Sequence, residues 1–398
     1  NSWILDQEFA IIFWVSVCPK GISLQATFAR LVIAECKKSK RFNLQIIVGA
    51  SATQDKFGDV YNRILRDGFK VNFKIENQFS SSELKSMVKT TGLGLIELSE
   101  CFSKLKPDIV FTVGDRHETI STAIAASYMN ILVAHTMGGE VTGTIDENVR
   151  HAITKLSHIH FVSNKDSMKR VIKLGELKKY VFNVGCPRND LIKKIISKKN
   201  FVNEFKFISK NGVGDMDDIS QFDDYFVILY HPVTTDIDVN KIAMQNILKA
   251  TQKFNIKNII IWPNSDAGSD EISKQIRIFR EKGLLKNFKI LKNLPIEYYI
   301  PLIKNSKCLV GNSSSAIRDG AFIGVPSVNV GQRQNNRLRS KNVIQSSNEL
   351  KEIQKKIKIQ YGKKFKSSKL YGSGNTGKNV VRILKQLKKF ITQKNITY

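Results

Sequence analysis

The chain has 398 residues, of which 42% are hydrophobic, and a formal net charge of +28. This length suits two domains of roughly 200 residues each, and no apolar run reaches the ~18 residues that a membrane-spanning helix needs. The lysines are dispersed and no nucleic-acid motif accompanies them, so we expect neither a nucleic-acid nor a membrane partner.

Apolar runs predict the strands of the first half near residues 11–17, 43–48, 108–113, 131–134, 158–162 and 180–184. Amphipathic stretches between them predict helices over residues 24–37, 82–104 and 119–128. The apolar run at residues 9–18 is predicted as a buried strand and not as a signal-peptide core, because no basic segment precedes it and no small-residue cleavage site follows it.

The same alternation resumes in the second half, with strands near residues 225–230, 257–262, 287–290, 307–310 and 326–330 and a last helix over 379–393. Two such runs predict an α/β protein with two doubly wound, Rossmann-like parallel sheets. We expect an N-terminal domain over 1–190, a second domain over 225–378 and a C-terminal helix over 379–398. Residues 191–224, polar from 199 onward, are predicted to form a linker or surface insert.

Residues 113–161 concentrate the titratable side chains of the first half. They begin where the strands at 108–113 and 131–134 stop, and ligands bind at the carboxyl ends of strands in open α/β sheets. The segment therefore predicts an acid–base site, although helix caps and solvated charges would account for individual members. The residues are Asp115, Arg116, His117, Glu118, His135, Glu140, Asp146, Glu147, Arg150 and His151.

The second half carries a pattern suited to phosphate. Residues 308–319, CLVGNSSSAIRD, place a glycine and small hydroxyl residues between a strand and a helix. Backbone N–H groups at such a helix start bind phosphate oxygens, although a serine N-cap alone would also explain the serines. His231 directly follows another predicted strand, and Pro232 ends that strand, so the imidazole should face the same cleft.

Five scattered cysteines without CxxC spacing argue against a disulfide framework and a zinc site, and favour a cytoplasmic protein. His158 and His160 share a strand face, and we take them as structural and not as metal ligands. No dinucleotide GxGxxG pattern is present. We therefore expect no metal and no cofactor.

Five motifs in one order resemble the UDP-N-acetylglucosamine 2-epimerases, most closely the hydrolysing branch that feeds sialic-acid-type sugar synthesis. They are GDRHE, HTMGGEVTGTIDENVRHAITKLSHIHFV, GCPRND, HPVTTD and GNSSSAIRDGAF, and the resemblance runs over about residues 43–377. It implies a fold like that of the B-type glycosyltransferases, with a UDP-sugar bound between the domains. It also implies elimination of UDP to a 2-acetamidoglucal, followed by hydration to a free sugar.

The resemblance also implies roles for residues. Asp115 is the first choice for acid–base catalysis, followed by Asp146 and Glu147, while Glu118 and Glu140 are catalytic or orient loops. His231 is expected to contact the diphosphate or the sugar. The remaining substrate-binding candidates are Lys20, Arg116, His135, Arg150, Arg188, Asn312, Ser313, Ser314, Ser315, Arg318, Asp319 and Arg333, with Arg337 as a further candidate for the nucleotide. Asp319 stands where the family has glutamate and is suited to a ribose hydroxyl.

Two departures from the family pattern keep alternatives open. Met137 stands where relatives often have glutamate, and the turn after the first strand offers Lys20 in place of an arginine. The leading hypothesis is a hydrolysing epimerase of UDP-N-acetylglucosamine or a 4-amino-modified relative. The others are a non-hydrolysing epimerase, and a glycosyltransferase or UDP-sugar-binding protein. We expect a homo-oligomer, either a dimer or a tetramer.

Overall fold

Two seven-stranded sheets organise the chain in the computed structural model, which describes residues 9–15, 24–54, 60–79, 84–141, 145–233, 236–263, 268–292, 294–387 and 393–395. The strands of the first sheet are β1 (Phe9–Val15), β2 (Phe42–Gly49), β3 (Phe73–Ile75), β4 (Ile109–Val113), β5 (Leu132–Thr136), β6 (Ile159–Val162) and β7 (Val181–Asn183). Those of the second are β8 (Val213–Gly214), β9 (Tyr225–Leu229), β10 (Lys257–Ile261), β11 (Phe288–Leu291), β12 (Cys308–Gly311), β13 (Ser327–Val330) and β14 (Val343–Ser346).

Helices connect the strands of both sheets. They are α1 (Leu24–Lys37), α2 (Val60–Arg66), α3 (Leu84–Leu105), α4 (Ile120–Tyr128), α5 (Ile145–Leu156), α6 (Lys165–Lys173), α7 (Arg188–Ile196), α8 (Val202–Lys210), α9 (Ile237–Gln252), α10 (Ser269–Glu281), α11 (Ile296–Asn305), α12 (Ser314–Ile323), α13 (Leu350–Gln360) and α14 (Thr376–Gln386). Short 3₁₀ turns occur at Ala50–Thr53, His117–Thr119 and Lys178–Tyr180.

The strand order gives each sheet a crevice. The first sheet runs β3-β2-β1-β4-β5-β6-β7 and is parallel throughout, whereas the second runs β14-β13-β12-β9-β10-β11-β8 with only β8 antiparallel. The order reverses between β1 and β4 in one sheet and between β9 and β12 in the other. Open α/β sheets bind ligands at such switch points, outside the carboxyl ends of the strands. The topology confirms the predicted fold class.

Alternating burial explains why the central strands are apolar throughout. In β1, Ile11 and Phe13 pack in one core cluster and Ile12 and Trp14 in another, because successive side chains point to opposite faces of a sheet. The first cluster contains residues of α1 and α14, and the second contains residues of α3 and α4. A parallel sheet covered by helices on both faces needs this continuous apolar pattern.

The strands that the sequence pattern missed are β3, β8 and β14, which lie at the edges of the sheets. They are two to four residues long, and β3 and β14 contain polar residues, as in FKI and VIQS. An edge strand bonds to one neighbour and is exposed on its other side, so it needs no long apolar run. The pattern that detects central strands is therefore weak at these positions.

The segment 199–224, predicted as a linker or surface insert, instead contributes α8 and β8 to the second sheet's layer. Phe201, Phe205 and Ile208 are buried in the core that also contains Tyr225 and Val227 of β9. Their spacing of three to four positions is helical, but the surrounding lysines and aspartates obscured it. This corrects the linker prediction for that segment.

The last helix returns to the first sheet. Val380 and Leu384 of α14 lie in the same core cluster as Ile11 and Phe13. This helix spans Thr376–Gln386, whereas we expected residues 379–393. Within the described residues, no helix combines the length and the apolar character that crossing a bilayer requires.

The two passages of the chain between the sheets are held together by the GCPRND motif. Cys186 N donates to Tyr371 O at 2.7 Å, and Asn189 Nδ2 donates to the same carbonyl at 3.0 Å. A Cβ on Gly185 would lie 2.8 Å from Gly372 Cα, so the two backbones touch at a point where only glycine fits. The motif therefore acts first as a structural junction.

Asp190 completes the junction by capping α14. Its carboxylate accepts hydrogen bonds from Thr376 N and Gly377 N, both at 2.9 Å, while Asn375 at the N-cap position makes no side-chain cap. We expect Asp190→Ala to lower the stability to unfolding by about 1–2 kcal/mol, the usual cost of losing a helix cap. Asn375→Ala is the matched control and should leave the thermal midpoint nearly unchanged. Equal effects of the two substitutions would contradict this assignment.

Candidate active site

Polar side chains from both sheets meet where the predicted strands end. Asp115 follows β4 by one residue after Gly114, and Glu140 lies in the turn after β5. From the second sheet, His231 follows β9 and Ser313 follows β12. These are strands at or beside the two switch points, so the fold gathers the titratable groups at one cleft.

Asp115 is held by a buried arginine. Arg150 of α5 is fully buried, and its Nε donates to Asp115 Oδ2 at 2.9 Å while Nη2 bonds to the same oxygen. Burial raises the pKa of Asp115, but the charges of Arg150, Arg337 and Arg318 outweigh it, so the pKa lies below its ordinary value. Asp115 is therefore an ionised carboxylate at neutral pH.

Glu140 connects the two halves of the cleft. Its side chain accepts from Ser163 Oγ at 2.7 Å and forms an ion pair with Arg318 of α12. Its backbone carbonyl accepts from Arg150 Nη1 at 2.6 Å. Glu140 is only 5% exposed, so these contacts operate where water screens them little. The turn after β5 is thus fixed to a helix of the second sheet.

A second arginine from the other half contacts the same turn. Arg337 Nε donates to Val141 O at 3.1 Å, and burial, reinforced by the charge of Arg318, lowers the Arg337 pKa to about 10. Burial also opposes the charge on Arg318, but Glu140 raises its pKa above the ordinary value. Both guanidinium groups therefore stay charged at neutral pH.

The cluster holds more positive than negative charge. Arg150, Arg318 and Arg337 contribute three cations, whereas Asp115 and Glu140 contribute two carboxylates. In addition, Arg318 Nε and Nη1 and Arg337 Nη1 are buried without a hydrogen-bond partner among the described residues. Buried donors without acceptors are costly, and an anionic ligand in the cleft would satisfy them.

Backbone geometry at the turn after β5 is unusual. Met137, buried at the end of the strand, has φ of 66°, and Gly139 has φ of 72°. A non-glycine residue in this left-handed region is strained, and such strain concentrates at functional sites. Together the two positions reverse the chain within a few residues and direct Glu140 toward Arg318. The residue that departs from the family pattern is therefore part of the turn that places Glu140.

His135 supports the other turn. Its Nε2 donates to Gly114 O at 3.0 Å, and its Nδ1 lies 3.4 Å from Thr154 Oγ1. Burial lowers its pKa to about 3, so the imidazole is neutral. A residue predicted to bind substrate thus has both ring nitrogens directed at the protein, and it fixes the backbone next to Asp115.

Glu118 forms ion pairs with its neighbours Arg116 and His117. Arg116 Nε lies 2.8 Å from one carboxylate oxygen of Glu118, and His117 Nδ1 lies 3.1 Å from the other. Burial raises the pKa of Glu118, but Arg116 and His117 bring it below its ordinary value. The structure therefore places this predicted catalytic carboxylate in a buried ion pair that anchors the 3₁₀ turn after Asp115.

Asp146 and Glu147 occupy the first turn of α5 and are half-buried. Acidic residues in a first turn complement the helix dipole. This position fits the alternative, given above, that individual carboxylates serve a helix end. Glu147 also lies 3.4 Å from His151 Nε2 one turn along. Both carboxylates share a helix with Arg150 and His151, so α5 carries four of the candidate residues.

The second sheet's crevice is shaped by Asn312. Its side chain accepts from His231 N at 2.7 Å and donates to His231 O at 2.8 Å. Both polar atoms of the carboxamide thus bond to the His231 backbone, and they fix the turn that carries the imidazole. Arg333 Nε donates to Pro232 O at 3.2 Å in the same turn.

The serines at the start of α12 differ in their partners. Ser313 is the N-cap and accepts from Ser315 N at 3.3 Å. Ser315 donates to Asp319 Oδ2 at 2.5 Å and receives a hydrogen bond from Tyr299 at 2.7 Å. Ser315 therefore donates its proton within the protein, whereas Ser314, at the first helical position, is half-buried.

Asp319 and Arg188, both predicted to bind substrate, pair with each other. Arg188 Nε lies 2.7 Å from Oδ1 and 2.8 Å from Oδ2, and both side chains are buried. The pair joins the GCPRND junction to α12. Asp319, shorter than the family's glutamate, is thus directed at Arg188 and Ser315 in this structure. Lys20 lies outside the described residues.

Sequence reasoning missed the partners that organise these groups. Ser163 follows β6 directly, so its position at a strand end was a usable signal. No comparable sequence signal marks Thr154, Tyr299 and Tyr371. They lie within or between helices, and only the folded chain brings them next to the site. Tyr371 packs its ring 5.8 Å from the Arg318 guanidinium carbon and donates its hydroxyl to Leu338 O at 2.7 Å.

The family model for UDP-N-acetylglucosamine 2-epimerase matches residues 34–385 of this chain. The chain belongs to this family. A relative from Legionella pneumophila, named UDP-N,N'-diacetylbacillosamine 2-epimerase (hydrolyzing), is 34% identical over 90% of this chain and 92% of its own length. Another from Campylobacter jejuni, named GDP/UDP-N,N'-diacetylbacillosamine 2-epimerase (hydrolyzing), is 33% identical over 84% of each chain. The resemblance drawn from the motifs is confirmed.

Solved structures of the family share the fold. A UDP-GlcNAc 2-epimerase from Neisseria meningitidis bound to UDP-GlcNAc superposes with a TM-score of 0.77 at 18% identity, covering 94% of this chain and 99% of that one. A Methanocaldococcus jannaschii UDP-GlcNAc 2-epimerase in complex with UDP-GlcNAc and UDP gives 0.73 at 20% identity, with 95% and 99% covered. At these identities the likeness establishes the architecture.

The Glu140–Arg318 pair can be tested as an interaction. Glu140→Gln removes the carboxylate and leaves Arg318 buried beside Arg337, so we expect a loss of about 3–5 kcal/mol in unfolding free energy. The double variant Glu140→Gln/Arg318→Met should lose less than the sum of the single effects. Urea unfolding of the three variants measures the coupling. Glu204→Gln, which breaks an exposed pair with Lys198, is the control and should cost no more than about 1 kcal/mol. Additive effects at Glu140 and Arg318 would contradict the pairing.

Proposed function

We propose that this family member is a hydrolysing 2-epimerase of UDP-2-acetamido sugars. The observation that carries the proposal is the cluster in which Asp115 and Glu140 face Arg150 of α5, Arg318 of α12 and Arg337. It combines carboxylates able to move protons with an excess of cations able to hold a diphosphate. The names of the relatives at 33–34% identity support the hydrolysing outcome.

In the proposed first step, a carboxylate removes the C2 proton while the bond between C1 and the diphosphate oxygen breaks. The electron pair of the C–H bond forms the C1–C2 double bond, and the electrons of the breaking bond leave with UDP. Asp115 suits the role of base, because its lowered pKa keeps it ionised at neutral pH. Arg318, Arg337 and the N–H groups at the start of α12 stabilise the departing diphosphate.

The second step adds a proton to C2 on the opposite face and water to C1. The net reaction consumes one water and yields UDP and the free 2-epimer. Glu140, Asp146 and Glu147 are the candidates for the second acid–base group, and His231 is assigned to the diphosphate or sugar. Among the serines, Ser313 and Ser314 are the proposed diphosphate contacts, because Ser315 already donates to Asp319.

The sugar substituent at C4 belongs to the same proposal. The two relatives at 33–34% identity carry names with N,N'-diacetylbacillosamine, whereas the Neisseria meningitidis relative named UDP-N-acetylglucosamine 2-epimerase is 28% identical over 88% of this chain. We therefore place the 4-acetamido UDP-sugar first and UDP-N-acetylglucosamine second as substrates. A cytoplasmic dimer or tetramer is the proposed working form.

Product analysis in deuterium oxide tests the reaction. We expect UDP and a free 2-acetamido sugar of inverted C2 configuration, with solvent deuterium at C2, when each UDP-sugar is supplied in turn. Mass spectrometry and NMR identify the products. A UDP-linked epimer as the sole product would establish the non-hydrolysing reaction instead. Transfer of the sugar to an acceptor without exchange at C2 would exclude both epimerase reactions.

Substitutions at Asp115 and Arg318 separate chemistry from nucleotide binding. Asp115→Asn keeps the size of the side chain but removes the base, so turnover should fall roughly a hundredfold or more with UDP affinity retained. Arg318→Met removes a charge-assisted contact and leaves Glu140 facing the diphosphate, so UDP binding itself should weaken. Calorimetric titration with UDP beside a UDP-release assay measures both. Normal turnover by Asp115→Asn, or equal loss of UDP binding in both variants, would refute this division.

A further inference from the structure

A lysine near the end of the chain binds the C-terminal end of α5. Lys394 Nζ lies 2.7 Å from Lys155 O, 2.5 Å from Ser157 O and 3.5 Å from Thr154 O, about 240 residues earlier in the sequence. It also lies 2.7 Å from Glu176 Oε2. The ammonium group is therefore surrounded by three carbonyl oxygens and a carboxylate, all of which accept hydrogen bonds.

This arrangement suits a cation for two physical reasons. The last carbonyls of a helix lack partners within the helix and carry partial negative charge. Glu176, 3% exposed, adds a full negative charge beside them and also accepts from Lys155 at 2.9 Å. Burial raises the pKa of Glu176, but hydrogen bonds from His160 and Lys394 bring it to about 2, so the carboxylate is ionised.

His160 completes the cluster from β6. Its Nε2 lies 3.0 Å from the same Glu176 oxygen that contacts Lys394, and burial lowers its pKa below the ordinary value. A neutral imidazole that donates from Nε2 satisfies the carboxylate without adding charge. This explains the histidine in structural terms and leaves Lys394 and Lys155 as the cations that neutralise Glu176.

The clamped helix end lies close to the candidate active site. Thr154 Oγ1 donates to Arg150 O at 2.9 Å, one turn before the carbonyls that Lys394 binds. Arg150 in turn holds both Asp115 and the backbone of Glu140. The helix has 12 residues joined by backbone hydrogen bonds and is about 18 Å long, so a shift of its C-terminal end would move Arg150 relative to Asp115.

We propose that Lys394 is a positioning residue that fixes α5, and with it Arg150, Asp146 and Glu147, in the arrangement required for proton transfer. The catalytic part of this inference rests on the proposed function. Among the residues that the structure describes, Lys394 contacts the end of α5 and Glu176 and no side chain of the reacting cleft, so its influence passes through the helix. The site itself is a cation site of defined composition, three carbonyl oxygens and one carboxylate, which the chain fills with its own lysine.

We call the contact of Lys394 with the C-terminal end of α5 and Glu176 the clamp. Lys394→Met tests it, because methionine keeps much of the side-chain volume without the charge. The folded state retains Lys155 and His160 beside Glu176, so we expect the variant to fold. Its kcat should fall on the order of tenfold, the effect of a small misplacement of catalytic groups, while KM and the Kd for UDP stay unchanged. Lys394→Arg, which keeps charge and donors, should remain close to wild type. Gln393→Ala, at the exposed neighbouring position, is the matched control.

Chemical rescue tests the cation site directly. Lys394→Ala leaves room for a small cation, so ammonium chloride should restore kcat, whereas tetramethylammonium chloride at the same concentration should not, because it donates no hydrogen bond. Rescue by both salts, or by neither, would overturn the assignment of the site. Equal losses of kcat and of UDP affinity in Lys394→Met would show a general loss of structure and overturn the positioning role.

Hydrogen exchange separates failure of this inference from failure of the proposed function. In Lys394→Met, amide exchange should accelerate over residues 150–157 and stay unchanged over α12, whatever reaction the protein catalyses. Unchanged exchange over 150–157 would refute the clamp even if the epimerase reaction is established. Accelerated exchange, with a reaction other than epimerisation in the wild type, would keep the clamp and reject the catalytic assignment.

Discussion

The ion pair between Glu140 and Arg318 is the interaction on which the rest of the site depends. It joins the turn after β5 in the first sheet to α12 in the second, and both partners are buried. The Glu140 carbonyl holds Arg150, and Arg150 holds Asp115, so one chain of contacts runs from α12 to the strand end at β4. Breaking the pair would leave charges in a poorly solvated place, which makes the arrangement cooperative.

The same guanidinium groups have two effects on the proposed chemistry. They lower the pKa of Asp115, which keeps a carboxylate ionised in a place where burial alone would favour its neutral form. They also supply the buried donors that a departing diphosphate requires. Because one cluster has both effects, the protonation state of Asp115 is coupled to the presence of the diphosphate leaving group. The surrounding neutral groups, such as His135, add hydrogen bonds without changing the charge balance.

The location of the candidate site could be predicted from the sequence, but many of the hydrogen bonds and ion pairs within it could not. Asp115 and His231 were identifiable because an apolar strand ends just before each, and strand ends meet at one edge. The direction of a side chain carries no such signal. From the motifs we expected Asn312, His135 and Asp319 to bind substrate. In the structure, the side chains of Asn312 and His135 bond to backbone groups, and that of Asp319 bonds to Arg188. The Arg188–Asp319 pair spans 131 residues, beyond what any local pattern encodes.

The contact between Gly185 and Gly372 leaves no room for a side chain at either position. The two connecting passages touch backbone to backbone, with φ of 90° and 97°, and a Cβ on Gly372 would lie 2.7 Å from Gly185 Cα. Tyr371, beside Gly372, packs its ring against Arg318. A larger residue at Gly372 would therefore displace the segment that supports the Glu140–Arg318 pair, although it would touch neither charged side chain.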